Sequence, residues 1–509
     1  MDDDLKNKGA IAKGAAIGIV FSSLCFVLAF FFKLLAARYY GPEDFGVFAL
    51  TQTILGLLVS VGGLGIAEGI GRYIPYYQAK KDPSLGSYVR FIFSLPLLFS
   101  LFLGLLLFFG ADLVTLFFGF PEILSPILQV IAIFIPIRVL NKLFGKILVS
   151  QRMIFLNQFA AFLEKLILLV GIGVILMVQG SLFLLIAVLV ASIVLSWIFR
   201  LAVYLWKIRL PLSSKSRGDY ADWVFFSFPL FISGMFGFFI SWTDNRVIGK
   251  LMDASSLGIY SVAFSVGSFL IFAQGSFSPI FLPVVSRSHG KGDKRQVSLL
   301  FRKSASWVLG VTMPMFIIIL LFGRYILEFF FGPEYVAAYI PLVIVATGYI
   351  INVSTGICKE ILLVHKKTRI ILTVNVLLTL FNIAMNLILI PVFGIIGAAI
   401  STATTMAAIN MAFLFIAKKF ERISLDWSFN LRLLIISVIS ISLSLLLLNL
   451  IHDIYLRILV SLVVFLVSYI ILGISFRIMD NDDIRLLEMF MKRFGLKGKA
   501  VKMIRRLER

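Results

Sequence analysis

The sequence predicts an all-α integral membrane protein of fourteen transmembrane helices, in which two six-helix parallel repeats form N and C lobes around a central cavity and two more helices follow. Three observations predict it. First, Ala, Val, Ile, Leu, Met, Phe, Trp, Tyr and Cys make up 60% of the 509 residues, only 14% are charged, and mean hydropathy is +1.02. A water-soluble globule of this length cannot clothe that much apolar surface with polar groups. Second, the apolar residues fall in runs of span length. Third, Lys and Arg collect in alternate connections.

A helix needs about 20 apolar residues to cross about 30 Å of hydrocarbon at about 1.5 Å per residue. In chain order the runs cover 17–37, 45–66, 89–109, 127–148, 155–178 and 182–204, then 224–243, 257–282, 305–322, 338–364, 370–390 and 395–417, and finally 433–450 and 456–476. These runs divide the chain into an N lobe over 1–206, an inter-lobe linker over 207–222, a C lobe over 223–420, a last helix pair over 431–476 and a basic tail over 477–509. In the tail Leu487, Phe490, Met491, Phe494 and Leu496 interleave with Lys and Arg, the pattern of an amphipathic surface helix. Met1-Asp2-Asp3-Asp4 is acidic and the first apolar run has full span length, so no cleavable signal is expected.

Most of the 47 Lys and Arg residues lie before the first run, in the even-numbered connections, or in the tail. The positive-inside rule therefore places both termini in the cytoplasm of a multi-pass cell-membrane protein. The formal net charge of +21 follows from this topology and from a tail drawn to anionic lipid headgroups, so nucleic acid is not an expected partner.

The chain repeats itself. Residues 37–48 align with 249–260 at an offset of 212, 110–119 with 323–332 at 213, and Gly180 with Gly394 at 214. Both halves enter the membrane from one side, so the repeat is parallel, as in alternating-access carriers with a cleft between two bundles.

A charge in hydrocarbon costs at least about 2.5–3.5 kcal/mol, so it persists where it faces water, a partner or a substrate. Arg138, Lys142 and Lys146 recur four residues apart on the fourth run and form one stripe, of which Lys146 is expected to snorkel to headgroups. Lys33 and Arg38 sit on the first run, Arg246 and Lys250 on the seventh, Lys165 on the fifth and Lys359 on the tenth. The acids are Glu68, Glu164, Asp244 and Glu360; Glu68 is a partner for Lys33 or Arg38 and Asp244 for Lys250. The neighbours Glu164–Lys165 and Lys359–Glu360 point about 100° apart and are expected to find partners elsewhere. Eight cations, Arg138, Lys142, Lys165, Lys359, Lys33, Arg38, Arg246 and Lys250, against four acids make a positive cleft for an anionic cargo such as a phosphate or pyrophosphate. Asn375, Asn382 and Asn386 on the eleventh run are expected to bond helix to helix.

Other chemistry has little to stand on. His289, His365 and His452 lie on separate connections, so neither a histidine metal site nor a Ser-His-Asp arrangement is expected. Gly290-Lys291-Gly292 lacks the spacing and the hydroxyl residue of a phosphate loop. The acids on the short loops are isolated, which disfavours a membrane glycosyltransferase. No enzyme activity, cofactor or metal is expected.

Arg38-Tyr39-Tyr40-Gly41-Pro42-Glu43-Asp44-Phe45-Gly46, followed by Gly62-Gly63-Leu64-Gly65 and Arg72-Tyr73, resembles the polysaccharide biosynthesis (O-antigen flippase) family of the multidrug/oligosaccharidyl-lipid/polysaccharide exporter (MOP) superfamily. The resemblance implies a flippase that moves a polyprenyl-(pyro)phosphate-linked oligosaccharide to the outer leaflet through a cationic cavity. Its implied partners are the anionic lipid-linked glycan, membrane lipids, and polysaccharide polymerase or glycosyltransferase proteins, with a monomeric chain. The alternatives, in order, are a lipid II flippase, a drug/cation antiporter and a membrane glycosyltransferase. Against the antiporter, no acid lies in the core of the first run.

Overall fold

The computed structural model describes residues 2–151, 153–208, 210–211, 220–272, 274–275, 285, 289, 293–355, 358–365, 367–421, 423–448 and 454–476. The tail at 477–509, linker residues 212–219, His452 and the side chains of Glu68 and Arg72 lie outside the described set. Within it the chain is helical, with no strand. The helices are α1 (Asp2–Gly62), α2 (Ile66–Ala79), α3 (Leu85–Phe118), α4 (Leu124–Ser150), α5 (Ile154–Val178) and α6 (Leu182–Val203). Next come α7 (Tyr220–Leu251), α8 (Ala254–Gly267), α9 (Lys294–Ile326), α10 (Tyr339–Ser354), α11 (Cys358–Val364), α12 (Thr368–Phe393), α13 (Ile395–Phe420), α14 (Trp427–Leu448) and α15 (Ile454–Ser475). Single π-helical turns, Tyr204–Ile208 and Leu327–Phe331, extend α6 and α9.

Among the described residues twelve helices are long and apolar enough to cross a membrane, and the protein is a multi-pass membrane protein. Outward-facing side chains such as Phe109, Leu116 and Met177 are 80–87% exposed, which only a lipid solvent tolerates on this scale. Local chemistry starts several helices. Asp253 and Asp293 accept from Ser256 N at 2.7 Å and Gln296 N at 2.9 Å, so each satisfies a free amide in the first turn of α8 or α9. Asp426 does the same for α14 through Phe429 N.

Three features depart from the spans read in sequence. The polar stretch between the first two runs is not a long loop: α1 is two helical segments that meet at a kink at Gly41, whose φ of 73° and ψ of 178° are non-helical and suit glycine, with Pro42 opening the second segment. The apolar part of α1, 43 residues from Val20 to Gly62, is divided by this kink into two segments of about 30 Å each at about 1.5 Å per residue. The second run, expected to end at Ile66, ends as helix at Gly62; a turn through Leu64 and Gly65, both of positive φ, leads into α2. The tenth run, expected as one helix over 338–364, is divided between α10 and α11, with α10 preceded by a 3₁₀ segment, Pro333–Ala338.

Helices α1 and α3–α6 pack on one another, and α7–α10, α12 and α13 form a second group. The groups meet where α1 runs along α8 and α7, and where α2 and α3 reach α7. At one end of this junction the Trp223 indole donates to Ile66 O at 3.3 Å and stacks on Tyr73 with ring centroids 4.8 Å apart. With lipid outside, such packing and hydrogen bonding, rather than water expulsion, hold the groups together.

Candidate substrate site

One face of α4 presents Arg138, Asn141, Lys142, Gly145, Lys146 and Val149, at steps of three and four residues. The apolar residues between them, including Val139, Leu143 and Ile147, are buried against neighbouring helices, and the polar stripe faces a cavity. This cavity has a volume of about 560 Å³ and is completed by Gln52, Val59 and Ser60 of α1, Asn157 and Glu164 of α5, and Arg200 of α6. Four cationic side chains line it against one carboxylate.

That carboxylate is divided between two cations. Arg138 Nη1 lies 2.7 Å from Glu164 Oε2, and Lys165 Nζ lies 3.2 Å from Glu164 Oε1. The Glu164 side chain is 7% exposed, whereas those of Arg138 and Lys165 are each 30% exposed. The acid is thus more deeply buried than either partner; Arg138 lines the cavity with it, whereas Lys165 is not among the lining residues. The expectation that Lys165 pairs away from its neighbour is corrected: its four-carbon stem wraps the 100° step round the helix, which two rigid side chains could not do.

Arg200 is a cavity residue that the sequence does not single out. It is only 8% exposed, and α6 continues past it to Ile208 through the π-helical turn. Its Nη1 donates to Asn141 Oδ1 at 2.5 Å and Ser196 Oγ at 3.0 Å, and its Nε to Asn157 Oδ1 at 3.1 Å. Neutral oxygens thus satisfy the guanidinium without cancelling its charge. Gly145 makes room for it, since a Cβ there would lie 3.4 Å from Arg200 Nε and 3.0 Å from Asn157 Oδ1. The signal in sequence is the six apolar residues that separate Arg200 from Lys207, too many for a helix end. Lys146, expected among headgroups, also lines the cavity.

The other candidates are dispersed. Lys33 Nζ donates to Ser265 Oγ of α8 at 3.3 Å, across the junction. Arg38 Nη1 donates to the carbonyls of Phe329 at 2.6 Å and Phe330 at 3.3 Å, capping the last turn that extends α9. The Arg246 guanidinium lies 3.8 Å from the ring centroid of Phe117 at the end of α3. Lys250 is exposed in the last turn of α7, and Lys359 is exposed on α11 beside a half-buried Glu360. Asp244 does not serve Lys250, which lies six residues on and about 120° round the helix. It accepts from Asn386 Nδ2 at 2.5 Å and from Tyr260 Oη and Thr402 Oγ1 at 2.8 Å each. The Asn386 bond is the helix-to-helix role expected of that residue, and Asn386 also donates to Asn382 Oδ1 at 3.1 Å.

The histidines correct a further expectation. His289 and His365 come together, with ring centroids 4.3 Å apart, and both contact Glu421. Their connections all return to one end of the second helix group, which spacing along the chain does not reveal.

The fold matches that of the lipid II flippase MurJ in an inward closed conformation, with a TM-score of 0.72 over 90% of this chain and 99% of that one, at 18% identity. It also matches an inward-facing multidrug resistance MATE family transporter of the MOP superfamily, with a TM-score of 0.64 over 79% and 97% of the two chains, at 15% identity. The family model for polysaccharide biosynthesis proteins matches residues 35–341, and the chain belongs to that family. It is 29% identical over 245 residues to the probable low-salt glycan biosynthesis flippase Agl15 of Haloferax volcanii, covering 47% of this chain and 52% of that one. It is 25% identical over 171 residues to the probable flippase AglR of the same organism, covering 33% and 35%. The match thus spans about half the length of the first relative and a third of the second.

Proposed function

We propose that this protein is a flippase that carries a polyprenyl-(pyro)phosphate-linked oligosaccharide from the cytoplasmic to the outer leaflet of the cell membrane by alternating access. The observation that carries the reading is the cavity in which Arg138, Lys142, Lys146 and Arg200 face one carboxylate. Guanidinium groups match phosphate oxygens in pairs, and Arg138 can exchange one charged oxygen partner, that of Glu164, for another on the substrate. Lys165 shares Glu164 and would follow. The sugars would travel in the wet cavity while the polyprenyl chain stays in lipid. No covalent bond changes, so no enzymatic group is called for. The names given to the two Haloferax volcanii relatives support the class of activity.

In this reading α1 crosses twice, once on each side of Gly41, and α7 crosses once more, which brings the spans to fourteen and both termini to the cytoplasm. The two helix groups are the N and C lobes of a duplicated unit. Lys33 and Lys359 contact phosphate along its path, whereas Arg38, Arg246 and Lys250 act where the lobes close. The chain works as a monomer and receives its glycan from a glycosyltransferase or delivers it to a polymerase.

The test is passage of a labelled lipid-linked oligosaccharide across proteoliposomes containing the purified protein. Wild type should translocate it, and Arg138→Gln combined with Lys165→Gln should abolish translocation while the protein stays folded. Unchanged transport by the double variant would overturn the phosphate assignment. Efflux of organic cations with no movement of the glycolipid would favour the antiporter.

A further inference from the structure

Glu421, immediately beyond α13, is a buried acid outside the cavity. It is 2% exposed. Its Oε1 lies 3.1 Å from His289 Nδ1, in the connection between α8 and α9, and 3.1 Å from His365 Nε2, at the end of α11. Its Oε2 is buried with no hydrogen-bond partner. A buried carboxylate oxygen without a donor is costly and marks a place where a ligand belongs.

The three groups are a donor set. Two imidazole nitrogens and a carboxylate oxygen lie within 4.8 Å of one another. Tetrahedral Zn²⁺, with bonds of about 2.0–2.2 Å, places its ligands about 3.4 Å apart. The set therefore needs to contract by about 1.4 Å at its widest, within the reach of side-chain rotation at His289, whose side chain is 36% exposed. The backbone is already fixed at two of the three positions: His365 N donates to Ile361 O at 3.1 Å and Glu421 N to Ala417 O at 3.0 Å, continuing the last turns of α11 and α13. The C-terminal end of the 26-residue α13 adds negative potential where a cation would sit. Beneath lies an apolar cluster that includes Phe301, Ile361, Leu362 and Ala417, which keeps water from the carboxylate on that side. The exposed edge at His289 leaves a fourth coordination position to water.

We propose that His289, His365 and Glu421 form a transition-metal site of the Zn²⁺ class that clips the α8–α9 connection to the ends of α11 and α13. Nitrogen and carboxylate donors without thiolate suit borderline ions such as Zn²⁺ rather than Mg²⁺ or Ca²⁺. The clip would brace one end of the second helix group while the junction with the first rearranges.

The test uses the full chain in detergent, purified without a polyhistidine tag and stripped with chelator. Zn²⁺ titrated by calorimetry should bind one equivalent and raise the melting temperature, and Co²⁺ should give the visible absorption of a four-coordinate site. His365→Ala and Glu421→Gln should each weaken Zn²⁺ binding by at least about tenfold. If Glu421→Gln does not fold, His289→Ala on the more exposed side makes the same cut. Absence of saturable Zn²⁺ binding, or equal binding by wild type and the folded ligand variants, overturns the site.

Discussion

Gly46 and Gly258 lie backbone to backbone where α1 meets α8. A Cβ on Gly46 would stand 1.8 Å from Ala254 O, and one on Gly258 would stand 1.9 Å from Pro42 O. Both the two glycines and the pair Pro42 and Ala254 are 212 residues apart, so the contact is reciprocal between positions that align in sequence. Around it, Arg38 caps the Phe329 and Phe330 carbonyls, Tyr335 Oη donates to Ala37 O at 2.8 Å, and Arg246 covers Phe117. One end of the junction is thus closed by main chain against main chain, which only residues without side chains allow.

Gly46→Val should therefore prise α1 from α8. The new Cβ, which the present backbone would place 1.8 Å from Ala254 O, must move to an ordinary 3.4 Å or more, and overpacking of this kind costs roughly 1–3 kcal/mol. Spin labels on the two helices near this contact should report a larger separation in Gly46→Val and in Gly258→Val than in wild type. Matching distance distributions in all three proteins would show that the glycines do not hold this end shut.

The α4 stripe was legible because a helix repeats every 3.6 residues, and Arg138, Lys142 and Lys146 keep that step. The turn at Gly41 was not, because a polar heptad from Arg38 to Asp44 reads as a loop, whereas one glycine at φ 73° suffices to redirect the helix. Asn157 and Arg200 are 43 residues apart, and His365 and Glu421 are 56 apart. Such pairs depend on how helices pack side by side, and no local period encodes that.

Glu164→Gln should separate the two roles of the acid. The amide keeps the shape but leaves Arg138 and Lys165 without a counter-charge, both of them 30% exposed and so partly screened. The ligand-free protein should melt at a lower temperature than wild type, and a polyprenyl phosphate should raise the melting temperature of Glu164→Gln by more than it raises that of wild type. An equal or smaller rise would mean that Glu164 does not compete with phosphate for these cations.

Arg200→Lys should not behave as a conservative change. An ammonium cannot reach Asn141, Asn157 and Ser196 from the fixed angles at which the guanidinium now donates at 2.5, 3.1 and 3.0 Å. Gly145→Ala should mimic it in part by pressing at 3.0 Å on Asn157 Oδ1, the acceptor of Arg200 Nε. Under the proposed function, both variants are expected to lower glycolipid transport severalfold at normal expression. Wild-type transport by Arg200→Lys would reduce Arg200 to a simple positive charge.

The buried cluster at Asp244 sets a last expectation, about stability. Asp244 of α7 gathers Asn386 of α12, Thr402 of α13 and Tyr260 of α8, so one side chain ties four helices. Hydrogen bonds between membrane helices average about 0.6 kcal/mol and reach about 1.7 kcal/mol, so losing three should cost on the order of 2 kcal/mol. Asp244→Ala removes every acceptor and strands the three donors, all on buried residues. Asp244→Asn keeps one oxygen for the Asn386 amide, and the hydroxyls of Tyr260 and Thr402 can rotate to accept from the new NH₂. Thermal unfolding in detergent, followed by tryptophan fluorescence, should rank wild type above Asp244→Asn and Asp244→Asn above Asp244→Ala. An alanine variant as stable as the asparagine variant would mean that these bonds do not hold α7, α8, α12 and α13 together.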